Sequence, residues 1–324
     1  MSGLEYTYAV ARIRSKELSL FSAATIEQMM ARTTYESCLQ FLQEKGWGDS
    51  DTPLDAEKIL TREREKTWED VRELVTDMSV FDILGYPNAF HNLKAAIKAV
   101  CAGDAKQANI FYKDTNPSAE VILEAVKARD FTSLPESMRG TAEEGLETLL
   151  HTGDGQLCDV IVDRASLDAI YQAGKAAKDE VVREYAESSV AVANIKIAVR
   201  SQKTAKSLEF MRRALAPCDT LNVEALAHAA LNSLDAIREY LAGTDYAEGA
   251  AALAESPSAF ERWCDNRIIK SIQPQKYNSF SVGPVVAYVL ARENEIKTVR
   301  IILSGKLNGL SDDSIRERVR EMYV

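Results

Sequence analysis

The sequence predicts an all-α protein, on three observations. Apolar residues recur at helical spacing along most of the chain, as at Val282, Val286, Val289, Ile296, Val299 and Leu303. No sustained alternation of apolar and polar residues, the mark of a half-buried strand, is found. Helix-start signals also punctuate the chain. Ser256 before Pro257 and Asn116 before Pro117 each place a capping side chain ahead of a proline at a first helical position, and Ser311 precedes Asp312 and Asp313, acids suited to a positive helix end.

From the N-terminus, residues 1–14 alternate small, aromatic and charged types, which is not the pattern of a secretory signal. Arg12 and Arg14 then lead into a helix around Thr25-Ile26-Glu27-Gln28-Met29. Breaks rich in turn-forming residues follow at 46–53, 103–117, 132–140, 152–155, 217–221 and 271–284, none long enough for a disordered linker. The longest membrane-like run, 282–290, falls far short of the roughly 20 apolar residues of a spanning helix. No direct membrane span is expected.

The 324 residues can bury a substantial core, and a prior of roughly 150 residues per domain gives two or three units. Basic residues number 39 against 49 acidic, and the net charge of −10 has the wrong sign for a phosphate backbone, so nucleic acid is not expected as a partner. Cys38, Cys101, Cys158, Cys218 and Cys264 are scattered without metal or redox spacing, which predicts reduced, mostly buried thiols in a cytoplasmic protein.

A weak repeat organises the chain. Asn92-Leu93-Lys94, Asn194-Ile195-Lys196 and Glu295-Ile296-Lys297 lie late in helical segments and recur at 102 and 101 residues. Each is followed by a basic residue (Lys98, Arg200, Arg300), a break, and a helix opening near an acid, as at Glu120 and Glu224, with Ser314-Ile315-Arg316-Glu317 as the third continuation. Three-residue matches in a helical chain arise cheaply by chance, but the shared spacing and flanks favour triplication. The N-terminus carries the second half alone, so the first and last helices are expected to lie together. The repeats are placed at 1–103, 104–206 and 207–324.

The parts of an active site are not found. There is no phosphate cradle of Walker type and no Gly-x-Gly-x-x-Gly, and Gly153-Asp154-Gly155 reads as a turn. His91, His151 and His228 lack the pair spacing of a zinc helix, and Asp312-Asp313 lacks a further acid for magnesium. Cys38 and Cys264 sit in amphipathic helical context, where packing is the better account than nucleophilic chemistry. No catalytic residue, metal or cofactor is expected.

The cations are more informative. Lys196, Arg200 and Lys203 share a helical face at i, i+4 and i+7, and Lys94 with Lys98 and Lys297 with Arg300 are matching pairs in the other copies. Two interpretations stand: salt-bridged or solvated helix faces, or a positively lined socket for a partner.

The stretch Val282-Gly283-Pro284 through Arg292-Glu293-Asn294-Glu295-Ile296-Lys297 to Leu307-Asn308-Gly309-Leu310 closely resembles the C-terminal signature of the C subunits of bacterial and archaeal V/A-type ATPases, the counterparts of the eukaryotic d subunit. Tyr8-Ala9-Val10-Ala11-Arg12-Ile13-Arg14 and Glu44-Lys45-Gly46-Trp47-Gly48 also resemble that family, and chain length agrees; residues 100–190 match least visibly. The resemblance implies a funnel-like body of three pseudo-symmetric helical domains around a central cavity, with no active site. Such a body would seat the central shaft on the membrane proteolipid ring and pass torque for proton or sodium transport, attached to the membrane only through the complex. The seven cations would then line the shaft socket. A free helical adaptor binding partner helices fits the composition equally well, and only the terminal signatures speak against it.

Overall fold

The computed structural model describes residues 6–103 and 110–324. Positions 1–5 of the opening segment, and 104–109, within the break at 103–117 and at the first repeat boundary, lie outside the described residues.

Among the described residues every extended element is helical. In chain order they are α1 Thr7–Glu17, α2 Ala23–Met30, α3 Tyr35–Glu44, α4 Ala56–Leu74, α5 Asp82–Ala102, α6 Ala119–Ala128, α7 Glu136–Thr152 and α8 Gly155–Ala176. The second half comprises α9 Glu180–Lys203, α10 Leu208–Ala214, α11 Val223–Asn232, α12 Leu234–Ala242, α13 Ala247–Glu255, α14 Pro257–Ile272, α15 Gly283–Leu307 and α16 Asp312–Arg316. None is long and apolar enough to cross a membrane.

Helix boundaries follow local chemistry. Ser256 caps α14, its hydroxyl accepting from the Ala259 amide with Pro257 inside the first turn, and Ser311 caps α16 in the same way. Gly153 adopts a left-handed φ of 67°, ending α7, and the Asp154 carboxylate accepts from the amides of Gln156 and Leu157 to start α8. Two boundaries differ from expectation. The cap of α6 is Ser118, whose hydroxyl reaches the Val121 amide; Asn116 stands two residues too early, in a cis bond to Pro117. The break at 132–140 closes at Pro135, because Met138, Ala142 and Leu146 bury one face of α7 and carry Gly140 into the helix, a residue costing about 1 kcal/mol relative to alanine.

The chain divides into two compact units. Unit 1 comprises Met1–Met78, Lys178–Tyr185 and Tyr246–Val324; unit 2 comprises Ser79–Ala177 and Ala186–Asp245. Within unit 1 both ends of the chain share one core. Phe21, Ile26, Met29, Leu42, Trp47 and Ile59 from the start pack with Ile296, Val299, Ile302, Leu303 and Ile315 from the end. The helix α15 is buried nearly all round and is the axis of that core. In unit 2, Phe90, Leu93 and Ile97 of α5 meet Ile122 and Val126 of α6, Leu146 of α7 and Cys158 and Val162 of α8.

The repeated triplets fall on α5, α9 and α15, and in each the first residue is fully buried and grips backbone elsewhere in its own unit. The Asn92 amide accepts from the Tyr112 N–H (2.8 Å) and donates to the Tyr112 carbonyl (2.9 Å). Likewise Asn194 accepts from the Ala216 N–H (2.9 Å) and donates to the Ala216 carbonyl (2.8 Å). Tyr112 precedes the start of α6 by the same seven residues that separate Ala216 from α11. In the third triplet, Glu295 accepts from the N–H of Phe21, just before α2. Three buried side chains at matching triplet positions therefore each hold a segment of chain that leads into a following helix. In the third, that segment comes from the N-terminus.

Candidate functional site

The predicted cations divide between the units. On α5 in unit 2, Lys94 pairs with Asp163 (2.7 Å) and Lys98 with Asp159 (2.6 Å), both on α8. Arg200 and Lys203, late in α9, are exposed and carry no ion pair among the described residues; Lys196, a turn earlier, is half-buried. On α15 in unit 1, Lys297 pairs with Asp265 of α14 (2.6 Å) and Arg300 with Glu57 of α4 (2.8 Å). Helix-to-helix ion pairs thus engage Lys94, Lys98, Lys297 and Arg300.

Lys297 and Arg300 also line a groove of about 620 Å³ in unit 1. Its floor is apolar, built from Ile268 and Ile269 of α14, Leu290 and Ile301 of α15, and Ile315 of α16. The remaining wall is the C-terminal tail, which carries Arg318. Two amides hold that tail: Asn294 donates to the Glu321 carbonyl (2.8 Å) and Asn266 accepts from the Glu321 N–H (2.9 Å). Gly305 lets α16 approach α15 closely, since a Cβ there would lie 2.5 Å from Ile315 Cγ1.

Charge at the groove is unevenly satisfied. Arg64 holds Glu293 in a two-pronged pair at 2.8 and 2.9 Å. Asp265 is shared between Lys297 and Arg320 (2.7 Å); burial alone would push its carboxyl up, but the two cations outweigh burial and hold it below its ordinary value. The exposed Arg318 has no ion pair among the described residues. The lining therefore carries four cations, Arg64, Lys297, Arg300 and Arg318, against the carboxylates of Asp265 and Glu293.

Elsewhere in unit 1 lies a buried ion cluster. The Arg292 guanidinium is hydrogen-bonded to both Glu63 and Glu295, donates to Thr67 Oγ1 (3.2 Å), and lies 5.3 Å from the Trp47 ring. Glu63 also accepts from the Gly48 N–H (2.8 Å) and from Lys66 (2.9 Å). Burial pushes the Glu295 carboxyl up and outweighs the opposing pull of Arg292 and of the Phe21 N–H.

The ATP synthase (C/AC39) subunit family model matches residues 9–318, nearly the whole chain. The chain belongs to that family. Among relatives, the C subunit of the V-type sodium ATPase of Enterococcus hirae is 25% identical over 327 residues, covering 99% of each chain. The C subunit of the A-type ATP synthase of Methanocaldococcus jannaschii is 23% identical over 347 residues, covering 96% of this chain and 85% of the relative. A higher identity, 39%, is reached over 87 residues with the corresponding A-type ATP synthase protein of Haloquadratum walsbyi, which is 26% of this chain and 25% of the relative.

For this member of the C/AC39 family, the sequence reasoning found Lys297 and Arg300 but missed Arg64, Arg318 and the Arg292 cluster. A signal for the cluster was present. Val285, Tyr288, Arg292, Glu295, Val299 and Ile302 follow one helical face, so two opposite charges interrupt an apolar stripe and must meet partners there. Their partner Glu63 lies 229 residues from Arg292, beyond any local pattern. None of the five cysteines is in a disulfide, and burial pushes the thiols of Cys38 and Cys158 up, the latter to about 11, away from the reactive thiolate. Among the described residues no group of three or more His, Cys, Asp or Glu side chains is placed to hold a metal ion.

Proposed function

We propose that this chain is a non-catalytic central-stalk component of a V/A-type ATPase, seating the shaft on the membrane proteolipid ring and passing torque to it for proton or sodium transport. The observation that carries this reading is the end-to-end match to the C subunit of a V-type sodium ATPase. Other features support it. Densely packed helices resist deformation, as a torque-bearing part requires. The three clasps support a body of three similar units, read as 1–103, 104–206 and 207–324, arranged as a funnel around the shaft seat.

Lys94, Lys98, Lys196, Arg200, Lys203, Lys297 and Arg300 are proposed to line that seat. Arg200 and Lys203 come first among them, since neither has an ion pair to exchange among the described residues. The test is co-purification with detergent-solubilised proteolipid ring and, separately, with isolated shaft proteins. Binding to both, with a shaft–ring complex forming only when this chain is added, is the expected outcome; binding to neither at low salt would leave a free helical adaptor. Reversing Arg200 and Lys203 together should weaken shaft binding and flatten its salt dependence.

A further inference from the structure

The groove in unit 1 combines an apolar floor with a cationic lining. Its floor of Ile268, Ile269, Leu290 and Ile301 is apolar, while its lining holds twice as many cations as carboxylates in a protein of net charge −10. Two of those cations are available to a partner. Glu57, which pairs with Arg300, is a 69% exposed side chain, and such pairs contribute little to stability. Arg318 has no ion pair to surrender among the described residues. A volume of about 620 Å³ accommodates about one turn of an α-helix of 10–12 Å diameter.

We propose that this groove receives one turn of an amphipathic helix bearing carboxylates, its apolar face on Ile301 and Leu290 and its acids on Arg300 and Arg318. Charge complementarity selects the occupant: a basic or neutral helix would leave Arg318 uncompensated and gain nothing from displacing Glu57. The inference rests on the role proposed above, in that the shaft supplies the helix. It adds the chemistry of the contact and its place.

The experiment uses the full chain and two probes: isolated shaft proteins, and a fluorescent synthetic helix with leucines on one face and glutamates on the other. A matched helix with lysine in place of glutamate is the control. The wild-type chain should bind the glutamate helix at least about tenfold more tightly than the lysine helix. The double variant Arg300→Glu, Arg318→Glu should lose at least about tenfold in affinity for both the glutamate helix and the shaft, and gain for the lysine helix. Lys127→Glu, a charge reversal of similar exposure in unit 2, should change neither, and far-UV circular dichroism shows whether each variant is folded. Equal binding of the two helices, or a folded double variant that binds like wild type, overturns the assignment. If the shaft binds wild type and double variant alike, the groove assignment falls and the coupling role stands. If the shaft binds neither while the two helices are discriminated as expected, the role falls and the groove's chemistry stands.

Discussion

The two units solve one problem with different chemistry. In unit 2 the clasp is a neutral asparagine, and the backbone it holds lies only 20 or 22 residues downstream. In unit 1 the clasp is Glu295, and the backbone it holds lies 274 residues away. An amide satisfies one N–H and one carbonyl and brings no charge into the core. A carboxylate only accepts, and once buried it requires a counter-cation. Arg292 supplies that charge one turn away, and also donates to Glu63 and Thr67. One change of residue type thus recruits a buried network that the other two clasps do without.

The sharpest way to break this comparison is Arg292→Leu. It would strand Glu295 as a buried carboxylate without its cation and leave Glu63 with Lys66 alone, and unit 1 should lose about 3–5 kcal/mol. Trp47 reports the event locally, because it packs against Phe21 with ring centroids 5.0 Å apart and lies beside Arg292. Urea titration followed by tryptophan fluorescence is the measurement, and a loss under about 1 kcal/mol would mean that the guanidinium is not what keeps the carboxylates in place.

Next come the neutral clasps. Asn194→Ala orphans both polar groups of Ala216, which is 0% exposed, and should cost about 2–3 kcal/mol; Asn92→Ala should cost only about 1 kcal/mol, because Tyr112 is 46% exposed and water can replace the amide. Equal losses in chemical denaturation would show that burial of the gripped backbone does not set the cost.

The charged residues of unit 1 should also separate by pH. In Glu295 the folded state holds the proton more tightly than the ordinary value of 4.5, so its contribution to stability falls as pH rises above 4.5 through the native value. In Asp265 the folded value lies below 3.8, so its contribution is complete above 3.8 and is lost as pH falls through the native value. Glu295→Gln should flatten the first slope and Asp265→Asn the second, read as denaturation midpoint against pH. Slopes of the same sign would contradict the assigned environments.

The smallest effect is expected at the paired cations of unit 2. Lys94→Ala and Lys98→Ala should each change stability by less than about 1 kcal/mol, because their ion pairs are partly solvated.

These differences bear on what the sequence could reveal. Helix class, the caps at Ser256 and Ser311 and the recurring triplets were legible, because capping and helical spacing are local. The three triplets were legible as a period but not as clasps: the lysine of each stands out by its charge, whereas the buried first residue does the holding. Asn116 looked like a cap because asparagine before proline usually is one, and only the position of Ser118 shows which residue reaches a free amide. The groove was half legible. Lys297 and Arg300 stand on one helix, but Arg64 and Arg318 reach it from segments that no spacing on α15 connects to it.

The long reach of the third clasp has a consequence for biosynthesis. Glu295 leaves the ribosome 274 residues after Phe21, a wait of roughly 14–55 s at about 5–20 residues per second. Both asparagine clasps can close within seconds of synthesis. The segment around Phe21 and the apolar helices after it must spend that interval without their permanent partner α15, so unit 1 is where a chaperone or an early misfolding event would act on the nascent chain.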